Sequence, residues 1–232
     1  MNSNLVPVIT IDGASGTGKG VVTHSIAKKL GWNLLDSGVL YRVLALAAQY
    51  QHIPLDDETA LAALATQLDV QFVAAEAEEP PLILLEKQEV TDIIRTEKIG
   101  NAASKVGALP AVRTSLLSRQ RAFRTPPGLV TDGRDMGTVI FPDAIVKIFL
   151  TASPEERALR RYNQLKAKGV HVNLSDLVGE LRERDQRDRD RSVAPLKPAR
   201  DAILIDTDHL TIEQVVARVI IEINKKGITL EE

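Results

Sequence analysis

The chain has 232 residues, 44% of them hydrophobic, and a formal net charge of −2. This is enough apolar material for one substantial core with room for a small inserted lobe, and it excludes a disordered chain. The near-balanced charge argues against a constitutive nucleic-acid binder, and the complete lack of cysteine excludes disulfides and thiolate chemistry. The N-terminus lacks a basic region followed by a long apolar one, and no 18-residue apolar run occurs, so no membrane partner and a cytoplasmic location are expected. His24, His52, His171 and His209 are scattered without ligand-like spacing, which disfavours a structural zinc site.

In chain order, Val6 to Ile11 predicts a central strand and Lys19 to Leu30 the helix after it. Between them lies a glycine-rich turn, within I-T-I-D-G-A-S-G-T-G-K-G (9–20). Gly13, Gly16 and Gly18 let the backbone turn tightly and aim successive N–H groups at phosphate oxygens. The helix N-terminus adds its positive dipole there. Lys19 stands where it can neutralise the outer phosphates of a nucleotide. Position 20 is glycine, where a magnesium-binding serine or threonine commonly sits. The apolar periodicity of Val22, Ile26 and Leu30 supports the helix.

Asn33 to Leu35 predicts a second short strand, ending at Asp36-Ser37-Gly38, and Val39 to Gln51 a helix. Asp36-Ser37-Gly38 reads either as an ordinary helix start or as a polar mouth for a second nucleotide. Alternation at this spacing points to an α/β fold with a parallel sheet. Leu68 to Val73 and Leu82 to Leu85 break the rhythm. Two strands joined by an acidic, proline-containing turn suggest an antiparallel hairpin in a small lobe. Helices are expected over Gly100 to Val106 and Val112 to Phe123, the latter stopped by Pro126-Pro127-Gly128.

Leu129 to Thr131 returns to strand character and runs into Asp132-Gly133-Arg134-Asp135. Acids directly after an apolar strand lie at the carboxyl edge of a parallel sheet, where open α/β folds bind ligands. This tetrapeptide reads either as a tight turn with surface charges or as a ligand site. In the second reading Asp132 orients magnesium-bound water, Arg134 takes an acceptor phosphate and Asp135 accepts hydrogen bonds from a base. Ile145 to Leu150 is the next strand. Ser153-Pro154-Glu155-Glu156 starts a helix with capping-box spacing, carrying Arg157, Arg160 and Arg161 on one side. Leu174 to Arg191 predicts another helix, Ala202 to Ile205 a last strand, and Ile212 to Ile223 a closing helix.

Within the penultimate helix, residues 182–191 place five arginines against four acids. One reading is a solvated face laced with i,i+3 and i,i+4 pairs. The other is a set of arginines reaching phosphates while the acids hold them in place. Phosphoryl transfer gathers negative charge in one cleft, and the arginine fork binds phosphate with two donors while staying protonated.

Taken together, I-T-I-D-G-A-S-G-T-G-K-G, L-L-D-S-G-V-L-Y-R, N-A-A-S, T-D-G-R-D-M-G-T-V-I-F-P-D-A and E-R-D-Q-R-D-R-D-R-S-V-A-P-L resemble the bacterial cytidylate kinases of the nucleoside monophosphate kinase group. The resemblance runs from about Pro7 to Val219. It implies a P-loop α/β sandwich of three layers in a single kinase domain, with a five-stranded parallel sheet. A small antiparallel nucleoside-monophosphate-binding insert would occupy 63–99 and a helical lid 153–170. It implies transfer of the γ-phosphoryl group of ATP to CMP or dCMP, with Mg2+ bound alongside ATP; nothing in the patterning demands a subunit interface, so a monomer is expected.

Residue by residue, the resemblance assigns Gly13, Ala14, Ser15, Gly16, Thr17, Gly18, Lys19, Gly20 and Val21 to ATP. It assigns Ser37, Arg42, Ser104, Arg113, Arg134, Asp135, Arg184, Asp188 and Arg191 to CMP. Lys19, Arg134, Arg157, Arg161, Arg184 and Arg187 would face the transferring phosphoryl, and Asp132 would stand in the second shell of magnesium. One departure is Val21, where the family usually has a hydroxyl; Thr17 and Thr23 are the nearby hydroxyls that could compensate.

Overall fold

The β-branched run after Pro7 is buried on both faces, as a central strand of a parallel sheet must be. A computed structural model describes residues 5–73 and 81–228. In chain order the elements are β1 (Val8–Gly13), α1 (Lys19–Leu30), β2 (Asn33–Asp36), α2 (Ser37–Tyr50), α3 (Glu58–Gln67), β3 (Val70–Val73), β4 (Leu82–Leu85), β5 (Gln88–Glu89), α4 (Glu97–Val106) and α5 (Pro110–Ala122). They continue with β6 (Leu129–Gly133), β7 (Val146–Thr151), α6 (Pro154–Ala167), α7 (Leu174–Arg189), β8 (Ile203–Asp206) and α8 (Ile212–Asn224). The chain divides into two units. One runs to Leu35 and resumes at Phe123; the other is Asp36–Ala122.

The first unit holds the parallel sheet, in the order β2-β6-β1-β7-β8. Val8 lies opposite Leu129 and Ile9 opposite Val146, so β1 is the centre and strand order reverses around it. Ligands of open α/β sheets bind at that reversal, beyond the carboxyl ends of the strands. Ile9, Ile11, Val130 and Ile148 pack with Ile26 of α1 and Val219 of α8 into one apolar core. Local chemistry sets the helix ends. Gly31 closes α1 at φ 60°, Ser153 accepts the Glu156 amide at 3.2 Å with Pro154 following, and Thr211 and Gln214 form a reciprocal capping box at α8.

The Asp36–Ala122 unit pairs α2 with α4 and α3 with α5. Its antiparallel sheet runs β3-β4-β5, with Val70 opposite Leu85 and Val73 opposite Leu82. The expected hairpin is present, and β5 adds a third strand of two residues that alternation cannot reveal. The strand expected from Leu68 begins at Val70, because Leu68 is the buried residue closing α3. The sequence reading also lacks α3, whose inward face is only Leu61 and Ala65. The connecting turn expected between β3 and β4 lies largely in 74–80, outside the described residues. The helix expected from Val39 starts at Ser37, directly after β2, and the one expected to reach Arg191 ends at Arg189.

Candidate active site

The loop leaving β1 is built on backbone geometry that side chains resist. Gly13, Gly16 and Gly18 have φ of 156°, 82° and 88°. A Cβ on Gly13 would sit 2.5 Å from the Leu150 carbonyl oxygen, and one on Gly16 would sit 3.1 Å from the Arg157 Cβ. Within the loop the Thr17 hydroxyl and the Lys19 ammonium both donate to the Ala14 carbonyl, at 3.1 and 3.0 Å. The Thr23 hydroxyl donates to the Lys19 carbonyl at 2.8 Å. The two hydroxyls considered as substitutes at position 21 thus give their protons to backbone carbonyls and keep only their oxygen lone pairs for other contacts, and Val21 itself is 58% exposed.

Beside this loop, Asp12 accepts the Met136 and Gly137 amides at 2.9 and 2.8 Å. Burial pushes its carboxyl up to about 6, against the pull of those two amides and of Lys19, with Asp135 adding to the rise. The turn it braces is a π-helical segment, Met136–Ile140, whose start is closed by the Asp135 carbonyl accepting the Val139 amide at 2.9 Å. Asp132 and Asp135 are both buried, Asp132 in register with Ile11 of β1. A carboxylate there is a hard oxygen group of the kind that orders magnesium-bound water, so the chemistry of the position fits that ion.

The charged run of α7 resolves into two faces. Arg184, Asp185 and Asp188 are buried, while Arg182, Glu183, Gln186, Arg189 and Asp190 are exposed. Asp188, 1% exposed, accepts from Arg134 Nε at 2.7 Å and pairs through its other oxygen with Arg191. Burial alone would raise the Asp188 carboxyl, but Arg134, Arg191 and Arg184 outweigh it and hold it far below the usual carboxylate range. The Arg134 guanidinium is raised correspondingly: burial opposes its charge, and Asp188 more than restores it.

The arginines of α6 do not share one environment. Arg157 is 1% exposed and donates to Asp185 at 3.1 and 2.5 Å, to the Ser15 carbonyl at 2.9 Å and to the Ala152 carbonyl at 3.1 Å. Arg160 donates to the carbonyl and hydroxyl oxygens of Thr207, and Arg161 reaches Gln164 at 3.4 Å. The expectation that Arg157 faces the transferring phosphoryl meets a guanidinium already engaged by protein oxygens under the loop. Asp12, Asp185 and Thr207, which hold the turn after Asp135, Arg157 and Arg160 respectively, are not singled out by the sequence reading. Asp12 carried a signal, being the acid at the carboxyl end of the strand that feeds the loop.

In the Asp36–Ala122 unit, Ser37 is buried in the first turn of α2 and Ser104 in α4. Arg42 donates to the Ile94 carbonyl at 2.6 Å. Arg113 donates to the Gly107 carbonyl at 3.0 Å and lies 5.6 Å from the Tyr41 ring centre. The expected acceptor residues thus divide between the units: Ser37, Arg42, Ser104 and Arg113 in this one, and Arg134, Asp135, Arg184, Asp188 and Arg191 in the other.

Residues 9–225 match the family model described as Cytidylate kinase. The chain belongs to the cytidylate kinase family. It is 61% identical over 222 residues to the Cytidylate kinase of Pseudomonas aeruginosa, covering 96% of this chain and 97% of that one. It is likewise 61% identical over 216 residues to that of Azotobacter vinelandii, covering 93% and 94%. Among solved structures, a gluconokinase from Sinorhizobium meliloti aligns at a TM-score of 0.51 with 15% identity, over 95% of this chain and 93% of that one. At that identity it bears on the fold alone. Family membership makes the chain an ATP-dependent phosphotransferase.

Proposed function

We propose that this chain transfers the γ-phosphoryl group of ATP to CMP or dCMP, giving ADP and CDP or dCDP. The observation that carries the reading is the buried Asp188 holding Arg134 and Arg191 in the same unit as the glycine-rich loop. Two preordered guanidinium groups and a phosphate cradle are what transfer between two phosphates requires.

The backbone N–H groups from Gly13 to Val21 cradle the ATP phosphates, with Lys19 leaving the Ala14 carbonyl to neutralise their outer end. Arg161, Arg184 and Arg134 offset charge on the transferring group. Ser37, Arg42, Ser104, Arg113, Asp135, Asp188 and Arg191 bind the acceptor nucleotide. A Mg2+ ion bound with ATP would supply charge neutralisation, and Asp132 would order its water. The acceptor phosphate is itself the nucleophile, so transfer is direct and in line, with neither a general base nor a covalent enzyme intermediate. The 153–170 segment acts as a lid whose closure excludes water as a competing acceptor, and 63–99 as the acceptor-binding insert. The chain works as a cytoplasmic monomer with no nucleic-acid or membrane partner.

Base choice follows from donor and acceptor patterns. Cytosine presents an amine at C4 where uracil presents a carbonyl. A carboxylate at Asp135 accepts from the amine and repels the carbonyl, and an unmatched polar group there costs about 1–3 kcal/mol.

The test is ADP formation from Mg-ATP with CMP, dCMP, UMP, AMP, shikimate or no acceptor in parallel. Rapid CDP or dCDP formation with little UDP is expected. Activity confined to another acceptor, or ATP hydrolysis independent of acceptor, would overturn the reading.

A further inference from the structure

We propose that Asp185 is a positioning residue through which α7 links occupancy of the donor phosphate loop to the acceptor-side arginines; the inference rests on the function proposed above. Asp185 is 4% exposed and pairs with Arg157. It acts through Arg157, which it grips with both oxygens, and Arg157 Nη1 also donates to the Ser15 carbonyl at 2.9 Å. The loop is shaped to admit this contact. Gly16, the next residue, has no Cβ, and the Arg157 stem fills the space one would take, with its Cβ, Cγ and Cδ 3.1, 3.5 and 3.7 Å from that position.

Three residues further along α7, Asp188 holds Arg134 and Arg191. Residues at i and i+3 share a helix face. One buried face of one helix therefore carries two carboxylates, the first fixing the donor loop through Arg157 and the second fixing the acceptor arginines. A continuous helix moves both together, because its hydrogen-bonded turns do not slide past one another. Drawing the Ser15 carbonyl toward or away from α7 shifts Asp188 as well. Such a linkage is reciprocal: donor binding alters acceptor affinity by the same factor as the converse. Arg157 then contributes by holding loop and helix together, with its donors committed to protein oxygens.

The experiment measures CMP affinity by calorimetry with and without a saturating non-hydrolysable ATP analogue and Mg2+, and analogue affinity with and without CMP. Three proteins are compared: the unmodified chain, Asp185→Asn, and the double variant Arg157→Met/Asp185→Leu. The double variant replaces a buried ion pair by apolar side chains, a change that commonly preserves folding where loss of one partner does not. If Asp185→Asn fails to fold, the double variant decides.

In the unmodified chain each ligand is expected to tighten the other at least fivefold. In the folded variants this factor falls to within twofold of unity, while CMP affinity measured alone changes less than threefold. A folded variant that keeps the full factor, or an unmodified chain that binds both ligands independently, overturns the inference. Failure of the unmodified chain to phosphorylate CMP would instead remove the functional reading, and this inference with it.

Discussion

Asp12 and Gly137 meet at the carboxyl edge of the sheet, the Asp12 carboxylate accepting the Gly137 amide at 2.8 Å. The same carboxylate takes the Met136 amide, so the residue before the phosphate loop also sets the turn that follows Asp135. Its ionisation is costly in that buried position, with a carboxyl pKa raised from 3.8 to about 6. A carboxyl raised on folding binds its proton more tightly in the native state. Its stabilising contribution is complete below about pH 4 and is lost as pH rises to about 6, a difference of about 3 kcal/mol. Denaturant titrations at pH 4.5, 5.5 and 7 should show this falling component, and Asp12→Asn should remove it. A carbon-13 titration of the Asp12 carboxyl with its midpoint near 4 would refute the assignment.

Asp188 carries the opposite sign. Its carboxyl is depressed on folding, so its contribution is present above the unfolded value near 4 and is lost as pH falls below it. Asp188→Ala removes the buried carboxylate that Arg134 and Arg191 share and should cost about 3–5 kcal/mol in denaturant unfolding at pH 7. In kinetics, the KM for CMP should rise more than that for ATP. An equal rise for both would remove Asp188 from the acceptor side.

Val21 leaves the first turn of α1 without a side-chain hydroxyl at that position, and the protons of the Thr17 and Thr23 hydroxyls are donated to backbone carbonyls. Val21→Thr should add one hydrogen bond to the donor phosphates, about 1 kcal/mol, and lower the KM for ATP about fivefold. The side chain is largely solvent-exposed, so folding stability should hardly change. An unaltered KM would show that no phosphate passes within reach of position 21.

Asp135→Ala should narrow discrimination between CMP and UMP. Loss of a matched hydrogen bond and of the repulsion toward uracil predicts a drop of about 10–100-fold in the ratio of their kcat/KM values. Retention of the ratio would place base reading elsewhere in the pocket.

Gly16→Ala sets a side chain at φ 82° against the Arg157 stem 3.1 Å away. The left-handed backbone alone costs about 1–2 kcal/mol. The KM for ATP should rise, and thermal unfolding should shift down; a change in neither would show that the loop relaxes freely.

The sheet was legible because its strands are apolar runs punctuated by glycine and acids, and the first helix because Val22, Ile26 and Leu30 recur on one face. The glycine-rich turn between β1 and α1 was legible because its residues are consecutive. Less so was α3, where alanines blur the periodicity, and β5, which is too short to alternate. The run at 182–191 shows the limit best. Its pattern fits a solvated helix as readily as a buried one, and only tertiary packing turns Arg184, Asp185 and Asp188 inward. Arg157 was read from its neighbours Arg160 and Arg161, but its partner Asp185 is a non-local acid that spacing along one helix does not reveal.

The centre of the sheet also sets an order on biosynthesis. Val8 is paired with Leu129 and Ile9 with Val146, so β1 emerges from the ribosome more than a hundred residues before either neighbour. At about 5–20 residues per second that is a wait of roughly ten seconds without a strand on either side. Asp36–Ala122, whose helices and hairpin draw on nearby sequence, is complete before β6 is made. The nascent chain thus carries during elongation a strand whose backbone hydrogen-bonding edges are both unpaired, and it is the strand that ends in the glycine-rich loop.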